Sequence, residues 1–415
     1  GGLGMLVSDM CREAQRLGIP MVIITPFYTK ERSQRIVDFK QEMPLTDVTP
    51  EERGFSKTRT VSIETKVDGA LKPTSLDVYE KKEGSVRIVT ITEKDFGELY
   101  QGKTKDDHRL YQEVALGMGG FRALQGLGVH PSLNHQINEA PTVFSALARL
   151  DDAMQNPENP GLSFEKVFAK VKENTIYTNH TLVQAVEATF KLDQFERFVI
   201  PNIKNDEVKK WLRDKINGKG GEIQLSTLAI ELSGKLNGVS RIHATEANKI
   251  QRNYAGDPVT FEELTNGISL ERWGDPALLA YFKEEDILDD YDLHAQGYEA
   301  KIDALDEGKL KDIKDDARVR LREFLLRRRI DQYGQPVDIP EGAKIFNWKR
   351  RFADYKRPSM MFTQSDKLAE ILIRQNVHIV MAGRAHDTDY EMQNELNKIL
   401  KDIDGNPTLK ERVHF

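Results

Sequence analysis

KIFNWKRRFADYKRPSMMFTQSDKLAEILIRQNVHIVMAG, residues 344–383, decides the fold. KIFNWKRRF reads as a strand and ADYKRP as a loop. SMMFTQSDKLAEILIRQ spaces its apolar residues as a helix does, and VHIVMAG is an apolar strand of buried parallel-sheet character that stops on glycine. Strand, loop, helix and strand in that order are a piece of a parallel α/β sheet.

The start of the chain repeats the pattern. GGLG opens as a glycine-rich loop, Leu6, Met10, Ala14 and Leu17 follow at helical spacing, and Gly18 and Pro20 end the helix before the apolar strand MVIIT. Two α/β domains are therefore expected, 1–265 and 266–415, joined near TNG. Between them, residues 31–75 are polar and mixed, and SLDVYEKKEGSVRIVTI reads as two alternating strands around a glycine turn. Asp106 to Leu150 is helical, broken by LGMGG and by the turn at Gly128 to Pro131. NTIYTNHT carries a strand into a polar loop, LVQAVEATF resumes a helix, Leu225 to Ile250 is helical with an interruption at Gly238, and 276–331 is charged and helical.

The 415 residues exceed what one hydrophobic core organises, and 39% hydrophobic with 30% charged residues is a soluble composition. No apolar run nears the roughly 18 residues of a membrane span, and no secretion signal opens the chain. The single cysteine, Cys11, permits no internal disulfide and suits a reducing compartment, so a cytoplasmic location is expected. It reads as a small buried hydrophobe. A net charge of −6 gives no field for nucleic acid, and against that background the cluster WKRRFADYKR stands out.

Three places could carry chemistry. GGLG before a helix offers backbone N–H groups and a partial positive charge to an anion, or is only a tight turn. In KRRFADYKR, Arg350, Arg351, Lys356 and Arg357 outnumber the one nearby acid, Asp354. At the C-terminal edge of a parallel strand, Arg351 and Lys356 would enter the crevice where such sheets bind ligands and would neutralise a phosphate; the alternative is a solvated basic face. TNHT places His180 in a loop after a strand, as substrate donor, general acid or base, or plain loop histidine; NHQINEA sets His135, Asn138 and Glu139 in a similar strand-end position. No metal-ligand spacing, P-loop or G-x-S-x-G occurs.

Eight blocks in order complete the picture: GGLGMLVSDMCREAQRLGIP, RLYQEVALGMGGFRAL, NEAPTVFSALARL, YTNHTLVQAVEATF, NGVSRIH, TNGISLERW, RRFADYKR and VHIVMAGRAH. Together the chain resembles the glycogen/α-glucan phosphorylases from Gly1 to Phe415, the shorter bacterial and archaeal type more than the animal one. The resemblance implies two Rossmann-like domains facing across a cleft, the GT-B glycosyltransferase architecture. It implies phosphorolysis of terminal α-1,4-linked glucose to glucose 1-phosphate with retention, and pyridoxal phosphate used through its 5′-phosphate. By the same resemblance Gly2 and Leu3 offer backbone N–H groups beside phosphate and sugar. His180 and Asn266 hold the sugar 6-hydroxyl, Arg351 and Lys356 clamp the phosphates, and Tyr355 lies close by. The partners implied are an α-1,4-glucan and inorganic phosphate, with no nucleic acid or membrane. Family members are often dimers, though the sequence locates no interface.

Two positions depart from the family pattern: Pro141 stands where a histidine is common, and Arg384 where a lysine is. The block that carries the family's pyridoxal lysine has no counterpart before Phe415. With no strand ahead of GGLG and a strand opening at RVHF, the chain reads as the central portion of a phosphorylase, inactive by itself. A nucleotide-sugar glucan synthase of the same architecture and a non-catalytic glucan-binding protein are the competing readings. RLYQE, TNHT and TNGI weigh against the first, and the retained phosphate clamp against the second.

Overall fold

The apolar stripe of the first segment lies on helix α1 (Gly2–Arg16), which buries Cys11 and Ala14 against Val86 and the half-buried Met21 and Ile23. Burial raises the Cys11 thiol, as expected of a packed hydrophobe. GGLG is not a loop here. Glycine tolerates helical dihedrals, and the packing of this face carries the helix back to Gly2. The computed structural model describes residues 2–94, 96–97, 106–129, 134–156, 161–182, 187–289, 292–293, 297–386 and 388–415. They divide into two units, Gly1–Glu31 with Asp47–Ser269, and Arg32–Thr46 with Leu270–Phe415. Both are mixed α/β.

In the first unit, strand β1 (Met21–Pro26) is half-buried along its length. The stretch read as polar and mixed contains β2 (Ser56–Val67), a long partner of β3 (Ala70–Glu83), which turns at Gly84 into β4 (Val86–Thr92). The sheet order is β1-β4-β3-β2, with β1 and β4 parallel and the rest antiparallel. β2 is an edge strand in which Ile63 is the one buried side chain, so its apolar alternation is faint. The two-residue loop Asp68-Gly69, with φ of 51° and 80°, is the hairpin turn that joins it to β3.

LGMGG does not break the helix. α2 (Asp107–Val114) runs through a π-helical turn, Ala115–Gly119, into α3 (Gly120–Gly126). A Cβ on Gly117 would lie 2.5 Å from Phe144 Cβ and 2.7 Å from Ser145 N. The glycine is there for close approach to the next helix, not to end this one.

The second sheet of this unit is parallel: β5 (His135–Asn138) is followed by α4 (Phe144–Gln155) and α5 (Phe164–Glu173), then by β6 (Thr175–Asn179). Val183 to Val186 of the expected helix lie outside the described residues, and Thr189–Lys191 at its end is a strand. Leu225 to Ile250 is two helices rather than one. α6 (Leu225–Leu232) leads into β7 (Lys235–Gly238), and α7 (Arg241–Ile250) follows, capped by Ser240. With β8 (Glu262–Glu263) the order is β8-β7-β6-β5. Tyr177, Phe144, Phe190 and Phe195, all fully buried, centre its core.

In the second unit the stretch 276–331 is only partly helical, since Leu288–Asp289 and Asp292–Leu293 pair as short strands before the long helix α8 (Glu307–Arg328). Strand β9 (Lys344–Lys349), helix α9 (Ser365–Arg374) and strand β10 (Val377–Ala382) form the unit that opened this account, with β9 and β10 parallel. α10 (Tyr390–Gly405) and α11 (Pro407–Arg412) lead to β11 (Val413–His414), parallel to β10 on its other side. Phe352, Leu396, Ile399, Leu400 and Val413 fill the core between them. No described helix is long and apolar enough to cross a membrane.

Candidate functional site: two strand-end clusters

Each unit presents its chemistry at the C-terminal edge of a parallel sheet, where adjacent βα loops converge. In the second unit, assigned strand β9 stops at Lys349, but pairing continues: Arg350 N donates to Ala382 O at 3.0 Å and Phe352 N to Arg384 O at 2.9 Å. Phe352 is buried and stacks edge-on with Trp348 and Phe415, which fixes the chain at that point. Arg351, immediately before it, is exposed. Asp354, Tyr355 and Lys356 follow in a 3-10 turn that ends at Arg357 in the left-handed region, φ 51°. Lys356 Nζ lies 4.7 Å from the centre of the Tyr355 ring, and Tyr355 is 67% exposed. Among the described residues no carboxylate pairs with Arg350, Arg351, Lys356 or Arg357. Four cations thus stand at one strand end without a carboxylate partner among the described residues.

In the first unit the strand ends of β5, β6 and β7 are tied together by side chains. The His180 ring bonds through Nε2 to Asn138 Oδ1 at 2.8 Å, Thr181 Oγ1 donates to Glu139 Oε1 at 2.8 Å, and Thr178 Oγ1 donates to Asn237 Oδ1 at 2.8 Å. Burial, helped by nearby His243, lowers the His180 pKa to about 4. At neutral pH it is an uncharged imidazole suited to hydrogen bonding with hydroxyls. Glu139 sits at φ 80°, a region unfavourable for a side-chain-bearing residue, and burial raises its carboxyl while the Thr181 hydroxyl and the His180 backbone hold it down. The ring nitrogens of His243 are buried beside His180, whose backbone partly offsets the lowering of the His243 pKa by burial. Asn266 is exposed, and its backbone N–H donates to Val239 O at 3.1 Å, which places it beside the β7 strand end.

Gly2 and Leu3 lie in the first turn of α1. Ser85 Oγ donates to Ala14 O near the far end of that helix. The structure therefore brings His180 together with Asn138, Glu139 and Thr181, and sets Arg351, Tyr355 and Lys356 along one short segment. Among the described residues no side-chain bond joins Asn266 to His180. His135, by contrast, is half-buried and its ring bonds Ser145 Oγ at 2.7 Å, which ties it to the start of α4. The sequence reading missed Thr181 and His243, although both sit inside quoted blocks, because a polar residue next to a motif carries no signal of its own.

Glu113, from RLYQE, is 4% exposed; Arg109 Nε donates to its Oε1 at 2.6 Å, while Oε2 has no partner among the described residues. Burial outweighs the arginine and lifts its pKa to about 7. With the folded value above the unfolded one, the native state binds the extra proton, so stability falls as pH rises from about 4.5 to 7. Glu113→Gln is therefore expected to melt above the parent at pH 8, with the gap closing toward pH 4.5. Thermal melts of both proteins across that range check it; a gap that stays constant contradicts it.

No protein-family model matches the chain. Individual relatives do. The maltodextrin phosphorylase of Thermococcus litoralis is 26% identical over the whole chain and 52% of its own length. The glycogen phosphorylase of Mycobacterium tuberculosis is 22% identical over the whole chain and 52% of its length, and that of Aquifex aeolicus 24% over 96% of the chain and 62% of its length. The resemblance to α-glucan phosphorylases runs the length of the chain. The chain spans about half the length of the curated relatives it matches in full.

Proposed function

We propose that this chain is part of an α-glucan phosphorylase, whose two units face each other in the GT-B manner. The observation that carries the reading is the unpaired set Arg351, Lys356 and Arg357 at the end of a parallel strand, in a chain similar throughout to maltodextrin and glycogen phosphorylases. A pure glucan binder has no need of free cations there, and the blocks RLYQE, TNHT and TNGI weigh against a nucleotide-sugar enzyme.

In phosphorolysis, a proton on inorganic phosphate passes to the glycosidic oxygen as the C1–O bond breaks, and a phosphate oxygen then bonds C1 on the same face. Arg351 and Lys356 hold the phosphate and offset its charge, the largest electrostatic task in the site. Neutral His180, oriented by Asn138, and Asn266 bind the sugar 6-hydroxyl; the His180 carbonyl stands near the developing positive charge. Gly2 and Leu3 direct N–H groups toward the same anion, and Tyr355 flanks it.

Pyridoxal phosphate, when bound, supplies a second phosphate group beside the first. The residues here fit only that end of it. Arg351 and Lys356 suit a phosphate, but Lys398 and Lys401 are exposed on α10 and Lys410 is paired with Asp404, so no lysine here is assigned to the aldehyde. Donor choice tests the reading: protein from the complete reading frame is expected to extend maltodextrin from glucose 1-phosphate with release of phosphate. Extension from a nucleotide sugar alone points to a synthase instead.

A further inference from the structure

The segment Arg32–Thr46 folds with the second unit although its contacts there lie more than three hundred positions along the chain. Its hairpin, Arg35–Val37 paired with Lys40–Glu42, turns at Asp38 and Phe39, with φ of 48° and 60°. A phenylalanine in the left-handed region costs about 1–2 kcal/mol. The turn is held because Phe39 and Ile36 pack on the second unit's core, and because Asn397, in the amide orientation that satisfies its neighbours, donates to Phe39 O at 2.8 Å.

The polar face of the hairpin does something the core does not require. Gln41 Oε1 accepts from Ala385 N at 3.0 Å and its Nε2 donates to Ala385 O at 3.0 Å, the pair of bonds a neighbouring strand would make. Gln34 Nε2 donates to Gly383 O at 2.8 Å and to Gln41 Oε1 at 3.0 Å. The gripped residues flank Arg384, whose carbonyl accepts Phe352 N, next to Arg351. One side of loop 383–385 is thus held by two glutamine amides and the other carries the cationic strand end.

We propose that Gln41, seconded by Gln34, is a positioning residue for the phosphate site: the hairpin clamps loop 383–385 against Arg350–Phe352, and so holds Arg351 in place. This rests on the phosphate reading of Arg351. The two amide bonds to Ala385 are made from a half-buried side chain to a strand-end loop, and losing both lets that loop drift from the backbone it registers.

The test is calorimetric binding of inorganic phosphate to the full chain in the parent, Gln41→Leu, Gln34→Ala and Arg351→Ala forms. Gln41→Leu is expected to weaken phosphate about tenfold and Gln34→Ala about twofold, the scale of one or two net hydrogen bonds. Maltodextrin affinity should stay within about twofold, while amide exchange at Ala385 and Phe352 quickens. If Gln41→Leu does not fold, exposed Gln34→Ala carries the test. Weaker phosphate in Arg351→Ala but unchanged phosphate in the glutamine variants, with a lowered melting point only, overturns this inference alone. No phosphate binding by the parent, or none lost in Arg351→Ala, overturns the phosphate reading and this inference with it.

Discussion

Arg351→Ala is expected to lower kcat/KM for phosphate by roughly 10²–10³, the usual cost of removing one preorganised stabiliser of transition-state charge. The size follows from what surrounds the residue. Arg351 is exposed and has no carboxylate partner among the described residues, so its charge is not spent inside the protein. Lys356 remains in the variant, but it is a point charge beside the Tyr355 ring and cannot reproduce a planar two-pronged contact. Arg351→Lys should therefore recover only part of the loss. Maltodextrin binding should change little, since the sugar contacts assigned to His180 and Asn266 belong to other strand ends. Steady-state kinetics with phosphate and maltodextrin varied in turn checks both halves. A lowered melting point with phosphate and maltodextrin binding weakened alike would mean that Arg351 supports the fold rather than the anion.

Gly383→Ala is expected to destabilise the second unit by about 3 kcal/mol, the upper range for forcing extra volume into a packed region. Gly383 needs no unusual dihedral; it needs the space. A Cβ there would lie 1.9 Å from the Arg350 carbonyl oxygen and 3.1 Å from the Phe352 ring. The first clash is with backbone, which no rotamer relieves. Relief requires the segments 350–352 and 382–384 to separate, at the expense of the bonds Arg350 N to Ala382 O and Phe352 N to Arg384 O. The same shift would move Arg351, so phosphate affinity should fall along with stability. Urea unfolding of parent and variant decides it: a difference under about 0.5 kcal/mol, the range of a neutral surface change, would contradict the packing argument.

The legible parts of the fold were those whose residues act locally. The apolar run VHIVMAG, the helical spacing in SDKLAEILIR and the Gly84 turn each state their structure within a few residues, whereas SMMFTQ, read as part of that helix, holds a 3-10 turn at Met360–Phe362. β2 was not legible by apolar alternation because an edge strand buries little, although Asp68-Gly69 marked its turn. β7 hid between two helices because four residues, Lys235–Gly238, are too few to show a period. LGMGG misled because glycines that serve close packing and glycines that end helices look alike in sequence.

At the candidate site, the cationic strand end could be read because one acid cannot neutralise four cations. His180 could be placed after a strand, but its depressed pKa depends on burial and on His243, neither visible along the chain. Gln34 and Gln41 carried no signal at all, since their partners Gly383 and Ala385 lie in another part of the sequence.

The proposed function is transfer of glucose between a glucan and phosphate. Incubation of maltoheptaose and inorganic phosphate with protein from the complete reading frame, followed by phosphorus NMR of the products, tests it most directly. α-Glucose 1-phosphate is expected from the parent, and roughly 10²–10³ less of it from Arg351→Ala. Free glucose, β-glucose 1-phosphate, or maltoheptaose bound but unchanged whatever the phosphate concentration would contradict it.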